Sequence, residues 1–268
     1  MSSTSPFVPR RIWVILLVAF GAALLTAWLL LTPPGLLGKA DALGYAVCHQ
    51  IEERVFHLGE RPLPLCARCT GIYLGALLGL GYQFCRNRRS GLPAPRVQAV
   101  LLIFFLAFVI DSLNSAAWMI PGIQGLYEPG NTLRLFTGLG MGLTISAVFM
   151  PVFRDTLYQE SDPAPLLSGL RDIFIMTALA VLSGLAFLTG NPLLLYPLSL
   201  LSVLGLFTLM ALVHAVLWIL ALKIDNRFPT LRSAWFPLLA GSITALLQFA
   251  LLDLIRFALT HTWGGLAI

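Results

Sequence analysis

With 268 residues, 58% of them hydrophobic and 11% charged, and a mean hydropathy of +0.86, the chain cannot clothe itself in the polar surface of a water-soluble globule. The formal net charge of +5 does not indicate nucleic acid, because the basic residues are scattered between apolar runs and form no stripe interleaved with aromatics. What remains is an all-α, polytopic integral membrane helix bundle, one domain over residues 1–268, in the cell membrane with the lipid bilayer as its solvent.

A helix needs about 20 apolar residues to cross the hydrocarbon. Seven segments qualify: Ile12–Leu31, Cys66–Cys85, Val97–Ile120, Leu133–Met150, Ile173–Thr189, Leu193–Leu222 and Ala234–Leu259. The first follows Arg10 and Arg11 as a signal peptide would. Its apolar stretch is too long for one, and Leu-Leu-Leu-Thr-Pro-Pro is no cleavage site, so it is expected to be an anchor. The sixth is long enough to tilt, or to begin as an interfacial turn around Tyr196-Pro197.

Arginine and lysine in short loops stay on the cytoplasmic side. One set of loops holds Arg10, Arg11, Arg86, Arg88, Arg89, Arg96, Arg154, Arg171, Lys223, Arg227 and Arg232; the other holds Lys39, Arg54, Arg61 and Arg68. The count predicts the N-terminus inside and the C-terminus outside. It makes residues 32–65 an extracytoplasmic segment.

That segment runs into an unusual concentration of chemistry, with Cys48, His49, His57, Cys66 and Cys69 close together. Pro33-Pro34-Gly35 ends the first helix, and Asp41 to Leu58 is expected to form a short interfacial helix. Cys66 and Cys69 then open the second span at i,i+3, where the positive end of the helix dipole favours thiolates. Three readings compete. Cys48, Cys66, Cys69 and one imidazole, His49 or alternatively His57, could hold a metal, and three thiolates with an imidazole suit zinc. Cys66 and Cys69 could instead cycle as a redox dithiol with Cys48 as resolving partner. The third reading is a structural disulfide or inert thiols.

Polar residues at membrane depth form a second cluster, and each is a candidate functional residue. Asp111, Asn114, Ser115 and Trp118 share a face of the third span, and Asn131, Arg134 and Gly138 share a face of the fourth, which also carries Thr137. Asp111 and Arg134 are expected either to pair or to face a substrate. Asp253 and Arg256 form an i,i+3 couple that can neutralise itself. His214 reads as a hydrogen-bonded helix contact, and Cys85 as a free thiol without a role. Gly71, Gly75 and Gly79, with Gly138 and Gly142 on the fourth span, make small-residue rows that allow close helix approach.

The stretches Cys48-His49-Gln50, Glu53-Arg54, Pro64-Leu-Cys66-Ala-Arg68-Cys69-Thr70-Gly71-Ile-Tyr73-Leu-Gly75 and Asn131-Thr-Leu-Arg134-Leu-Phe-Thr137-Gly138, together with Asp111, closely resemble the signature of a bacterial and archaeal membrane-protein family known as domain of unknown function 2085. The resemblance covers roughly residues 48–142. A serine often follows the arginine at position 54 in that family, and Val55 stands here instead. The resemblance implies that the cysteine segment and the Asp111 and Arg134 faces belong to one module.

The resulting expectation is a zinc site beside a pocket formed by Gln50, Tyr73, Asn114, Asn131 and Thr137, with Asp111, Arg134, Arg68 and Arg54 as catalytic candidates. A metal-dependent membrane enzyme of this layout would act on a small or lipid-linked anionic substrate, with Asp111 as base. A transporter, or a structural subunit of an oligomer or larger membrane complex, would use the same residues as an ion relay or as a fastener.

Overall fold

The computed structural model describes residues 7–86, 89–120, 122 and 124–263; Arg88, counted above among the loop cations, lies outside them. Its α-helices are α1 (Arg11–Leu31), α2 (Gly35–Val47), α3 (Ala67–Phe84), α4 (Pro95–Ala117), α5 (Asn131–Leu157), α6 (Leu170–Leu188), α7 (Pro192–Ala221) and α8 (Trp235–Thr260). Two small ladders accompany them. One is an antiparallel hairpin of β1 (Val55–Leu58) and β2 (Arg61–Cys66), and the other a parallel pair of β3 (Arg89–Gly91) and β4 (Asp162–Pro165).

Among the described residues six helices are long and apolar enough to cross a membrane: α1, α4, α5, α6, α7 and the α8 segment. The second expected span, Cys66–Cys85, is α3; it has 18 residues and does not join them, because its sequence answers to protein neighbours and not to lipid. Of its residues only Gly81 is exposed. A helix enclosed by others can carry Arg68, Thr70 and Gln83 and a row of glycines without presenting a polar surface to hydrocarbon. By contrast α1 stands largely outside the bundle, and α4 and α6 show large apolar side chains such as Leu113 and Phe174 to the surroundings.

The glycine rows are what bring α3 and α5 together. A Cβ on Gly71 would lie 2.2 Å from the carbonyl oxygen of Leu135, and one on Gly142 would lie 2.1 Å from that of Ile72. The backbones therefore touch along the whole crossing. Gly205 of α7 meets the Tyr73 carbonyl in the same way, at 2.1 Å, so α3 is clasped from two sides by direct backbone approach. Gly241 of α8 repeats the device against Ala211 and Ala215 of α7.

At one end of the bundle Arg154 of α5, 3% exposed, donates to the carbonyls of Gln83 at 2.5 Å and Arg89 at 3.1 Å, closing the C-terminus of α3. Arg86 pairs with Asp172 of α6, which also accepts from the Tyr82 hydroxyl at 2.8 Å. The helices run on through Pro151 in α5 and Pro197 in α7, so the turn considered at Tyr196-Pro197 is absent.

Between α1 and α3 the structure departs from expectation. The helix expected from Asp41 to Leu58 begins earlier, at Gly35, and ends at Val47. The chain then turns through Gln50, with φ of 51°, and a short 3-10 turn over Glu52–Arg54 into β1. The reason lies at the far end of the sequence. Arg256 of α8 donates to the Cys48 carbonyl at 2.6 Å and, more weakly, to that of His49 at 3.4 Å, while its guanidinium carbon sits 3.9 Å over the Tyr45 ring. These contacts take up the carbonyls a continuing helix would have used.

Arg256 is therefore not the partner of Asp253. The expected i,i+3 ion pair does not form, and Asp253 accepts instead from the Trp28 indole at 3.3 Å. His214 bonds the Met210 carbonyl at 2.8 Å, the local helix contact expected of it, and Cys85 is an exposed free thiol.

Candidate thiol site and cationic cavity

The β1–β2 hairpin turns at Gly59, with φ of +65°, and delivers Cys66 to the N-cap of α3. β2 lies against α2 at Gly44, where a Cβ would come 2.0 Å from the Pro64 carbonyl oxygen. Gln50 locks the same crossing, its amide donating to Pro64 O at 2.7 Å. The close approach carries Cys48, at the end of α2, to Cys66 and Cys69. The three sulfurs all lie within 4.8 Å of one another, and the Cys66 backbone N–H donates to Cys48 Sγ at 3.3 Å.

Three thiols so close must share protons and charge. Hydrogen bonds from the Cys48 and Cys69 thiols, followed by backbone N–H groups of α3's first turn, push the Cys66 thiol well below its ordinary range against the opposing effect of burial. Cys48 is pushed up, first through its hydrogen bond with Cys66. Neither histidine belongs to the sulfur group: His49 is exposed and lines the adjoining cavity, whereas His57 is exposed on β1.

That cavity has a volume of about 330 Å³. Its lining includes the three cysteines, His49, Gln50, Met119 and three arginines, Arg54, Arg68 and Arg134. Arg68 projects from the first turn of α3 to Asp111 of α4, with 2.6 Å between Nη2 and Oδ2, and also reaches Ser115 Oγ at 2.9 Å. Asp111 accepts in addition from the Tyr127 hydroxyl at 3.1 Å and the Thr137 hydroxyl at 3.3 Å. Arg134, 7% exposed, is steadied by Asn131 Oδ1 at 3.0 Å, and Asn131 also donates to the Glu53 carbonyl at 3.1 Å. The Nε groups of Arg68 and Arg134 are buried without a hydrogen-bond partner.

Asp111 thus pairs with Arg68, and the alternative pairing with Arg134 does not occur. Asp111, Asn114, Asn131 and Thr137 do not line the cavity: Asn114 ties down the loop after α4, accepting from Leu126 N at 2.6 Å and donating to Tyr127 O at 2.9 Å. Tyr73 packs in the apolar cluster around Cys48 and Leu65 and does not line the cavity. Sequence reasoning missed Tyr127 and Met119, which sit in or beside a loop with no motif, and missed the bracing of the Cys48 turn by Arg256.

Replacing Asp111 with alanine should expose how much the module leans on this carboxylate. It would leave Arg68, whose side chain is 19% exposed, without its counter-charge, at a cost of about 3–5 kcal/mol. Thermal unfolding of the purified protein in detergent should register that loss, and Asp111→Ala with Arg68→Met should recover most of it. Equal melting of the single variant and wild type would mean that the pair carries no structural weight.

The fold and site define a multi-pass helical membrane protein with three clustered thiols opening on an arginine-lined cavity. The chain belongs to the family described as predicted membrane protein, domain of unknown function 2085, whose model matches residues 48–148. It is 30% identical over 114 residues to an uncharacterized protein of Methanocaldococcus jannaschii, covering 42% of this chain and 68% of that one. Over 101 residues it is 33% identical to an uncharacterized protein of Methanothermobacter thermautotrophicus, covering 37% of this chain and 82% of the other. No solved structure matches the chain. The family region starts at Cys48 and contains the hairpin, α3, α4 and most of α5, so α1, α2 and α6 to α8 lie outside it.

Proposed function

We propose that Cys48, Cys66 and Cys69 hold a zinc ion and that the cavity beside them receives a small or lipid-linked anion, as in a metal-dependent membrane enzyme. The observation that carries this reading is the convergence of all three sulfurs on one point. Thiolates about 2.3 Å from a tetrahedral zinc lie ~3.8 Å from one another. Three sulfurs already within 4.8 Å need only small adjustments to close on one ion. The N–H donated by Cys66 to Cys48 Sγ is the outer contact that steadies a ligating thiolate. A fourth position remains for His49, which lines the cavity, or for a bound ligand.

Zinc held there would supply Lewis-acid polarisation or an ionised water. The chain's own residues bind and orient. Arg54, Arg68 and Arg134, which line the cavity, supply positive charge for an anion. Asp111 fixes the Arg68 guanidinium; it is buried and does not line the cavity, so service as a base would require it to become accessible. Elemental analysis of the detergent-purified protein, with mass spectrometry of its thiols, tests the reading. About one zinc per chain is expected. Absence of metal with a reversible Cys66 to Cys69 disulfide would replace it with thiol-disulfide exchange.

In this reading the cavity faces the extracytoplasmic side, as the loop cations favour. Cys85, the exposed thiol just past α3, then lies in the cytoplasm. A membrane-impermeant maleimide should spare Cys85 in intact cells and label it in inverted vesicles, and the reverse pattern would invert the topology.

A further inference from the structure

Away from the thiol cavity, Asp253 of α8 is buried to 3% exposure in a segment apolar enough to cross the membrane. Its Oδ2 accepts from Trp28 Nε1 at 3.3 Å, while its Oδ1 has no hydrogen-bond partner. Among the described residues no cation of the chain lies within ion-pair distance of it. Arg256, one turn on, is engaged on the carbonyls of Cys48 and His49 and on the Tyr45 ring. Lys39 of α2 is bound to Thr32 through its carbonyl at 3.0 Å and its hydroxyl at 2.8 Å. A carboxylate at that depth with an unpaired oxygen is costly unless it takes up a proton or finds a partner, and the unpaired oxygen leaves room for one from outside the chain.

The space for that partner exists. Asp253 lines a cavity of about 400 Å³ between α1 and α8, within the range of small-ligand sites. Its other walls are almost wholly apolar and include Leu24, Leu247, Phe257 and the rings of Trp28 and Trp263. α1 borders it as a helix that packs lightly on the bundle, so the cleft is reachable from the lipid without unfolding a core.

We propose that this cleft is a second binding site, which takes a hydrophobic amine as its ammonium ion, with the head on Asp253 and the apolar body against the leucine and aromatic walls. An alcohol could satisfy the open oxygen but would leave the carboxylate charge uncompensated. An ammonium does both and gains from the surrounding aromatic rings. The site is independent of the thiol cluster and of any metal there.

Adamantylamine and its neutral counterpart adamantanol, titrated into the full chain in lipid nanodiscs with tryptophan fluorescence as readout, test it. The amine should bind wild type, and Asp253→Asn should bind it at least about tenfold more weakly. That variant retains an acceptor for the Trp28 indole and so keeps α1 docked. Trp28→Phe, followed by equilibrium dialysis, removes the indole donor but not the charge and should still bind the amine. Equal amine affinity in Asp253→Asn and wild type, or equal affinity of wild type for amine and alcohol, would reduce the cleft to an apolar void and overturn the proposal.

Discussion

Cys69→Ser is expected to yield a folded chain that retains no stoichiometric zinc, with affinity lowered by more than about 100-fold, beyond the loss seen when only an outer contact of a metal ligand is removed. Serine is a harder and far less acidic donor than a thiol, so it does not replace a thiolate on zinc. Cys69 is half-buried in the first turn of α3, where a hydroxyl fits without crowding. Cys66→Ser makes the comparison sharper. Cys66 is the N-cap residue of α3, and serine is a preferred cap, so this variant loses a ligand while the helix start is preserved or improved. His49→Ala should cost less than either, because the three sulfurs alone form the close group.

Elemental analysis and thermal unfolding should be read together. The helices around the site pack by direct backbone contact at Gly71, Gly142 and Gly205, none of which involves a thiol. Metal removal should therefore leave the helical signal intact. If helicity were lost together with the metal, the ion would be a fastener of the fold, as in a structural subunit. If all three variants retained wild-type zinc, the thiol cluster would not be the metal site.

Gly71→Leu should prevent the bundle from accumulating in the membrane, and Gly71→Ala should destabilise it by about 1–3 kcal/mol, the usual cost of overpacking a close-packed core. The Cβ on Gly71 would meet the Leu135 carbonyl oxygen at 2.2 Å, the Leu139 nitrogen at 2.8 Å and the Gly138 Cα at 3.0 Å. All three are backbone atoms of α5, so relief requires the helices to part. Gly79 offers the contrast, because its added Cβ would meet the Ser146 hydroxyl at 1.9 Å. There the obstacle is a side chain, and Gly79→Ala should be largely rescued by Ser146→Gly, whereas no single change on α5 should rescue Gly71→Leu. Membrane accumulation and melting in detergent measure both, and wild-type behaviour of Gly71→Leu would contradict the α3–α5 crossing.

Much of this molecule is legible in the sequence because lipid imposes simple rules. Composition alone dictates a helical membrane bundle, and apolar run lengths locate most span ends to within a few residues: the expected Ile173–Thr189 is the helix Leu170–Leu188, and Leu193–Leu222 is Pro192–Ala221, whereas α5 runs seven residues beyond the expected Met150. The glycine rows announce close approach, the rarity of sulfur and charge in such a chain makes Cys48, Cys66, Cys69, Arg68, Asp111 and Arg134 candidates, and the resemblance to the family signature implies that they belong to one module. These signals survive in one dimension because each depends on residue type and local spacing.

The tertiary structure alone decided which of those groups meet. α3 falls short as an apolar span because it is enclosed by protein, a fact its own residues cannot state. The helix expected to run from Asp41 to Leu58 stops at Val47 because Arg256, 208 residues from Cys48, takes the carbonyl there. Asp111 chooses Arg68 over Arg134, and Asp253 chooses Trp28 over Arg256, because a charge in a low-dielectric interior pairs with whichever donor the packing of other helices brings within about 3 Å. Spacing along one helix counts for little in that choice.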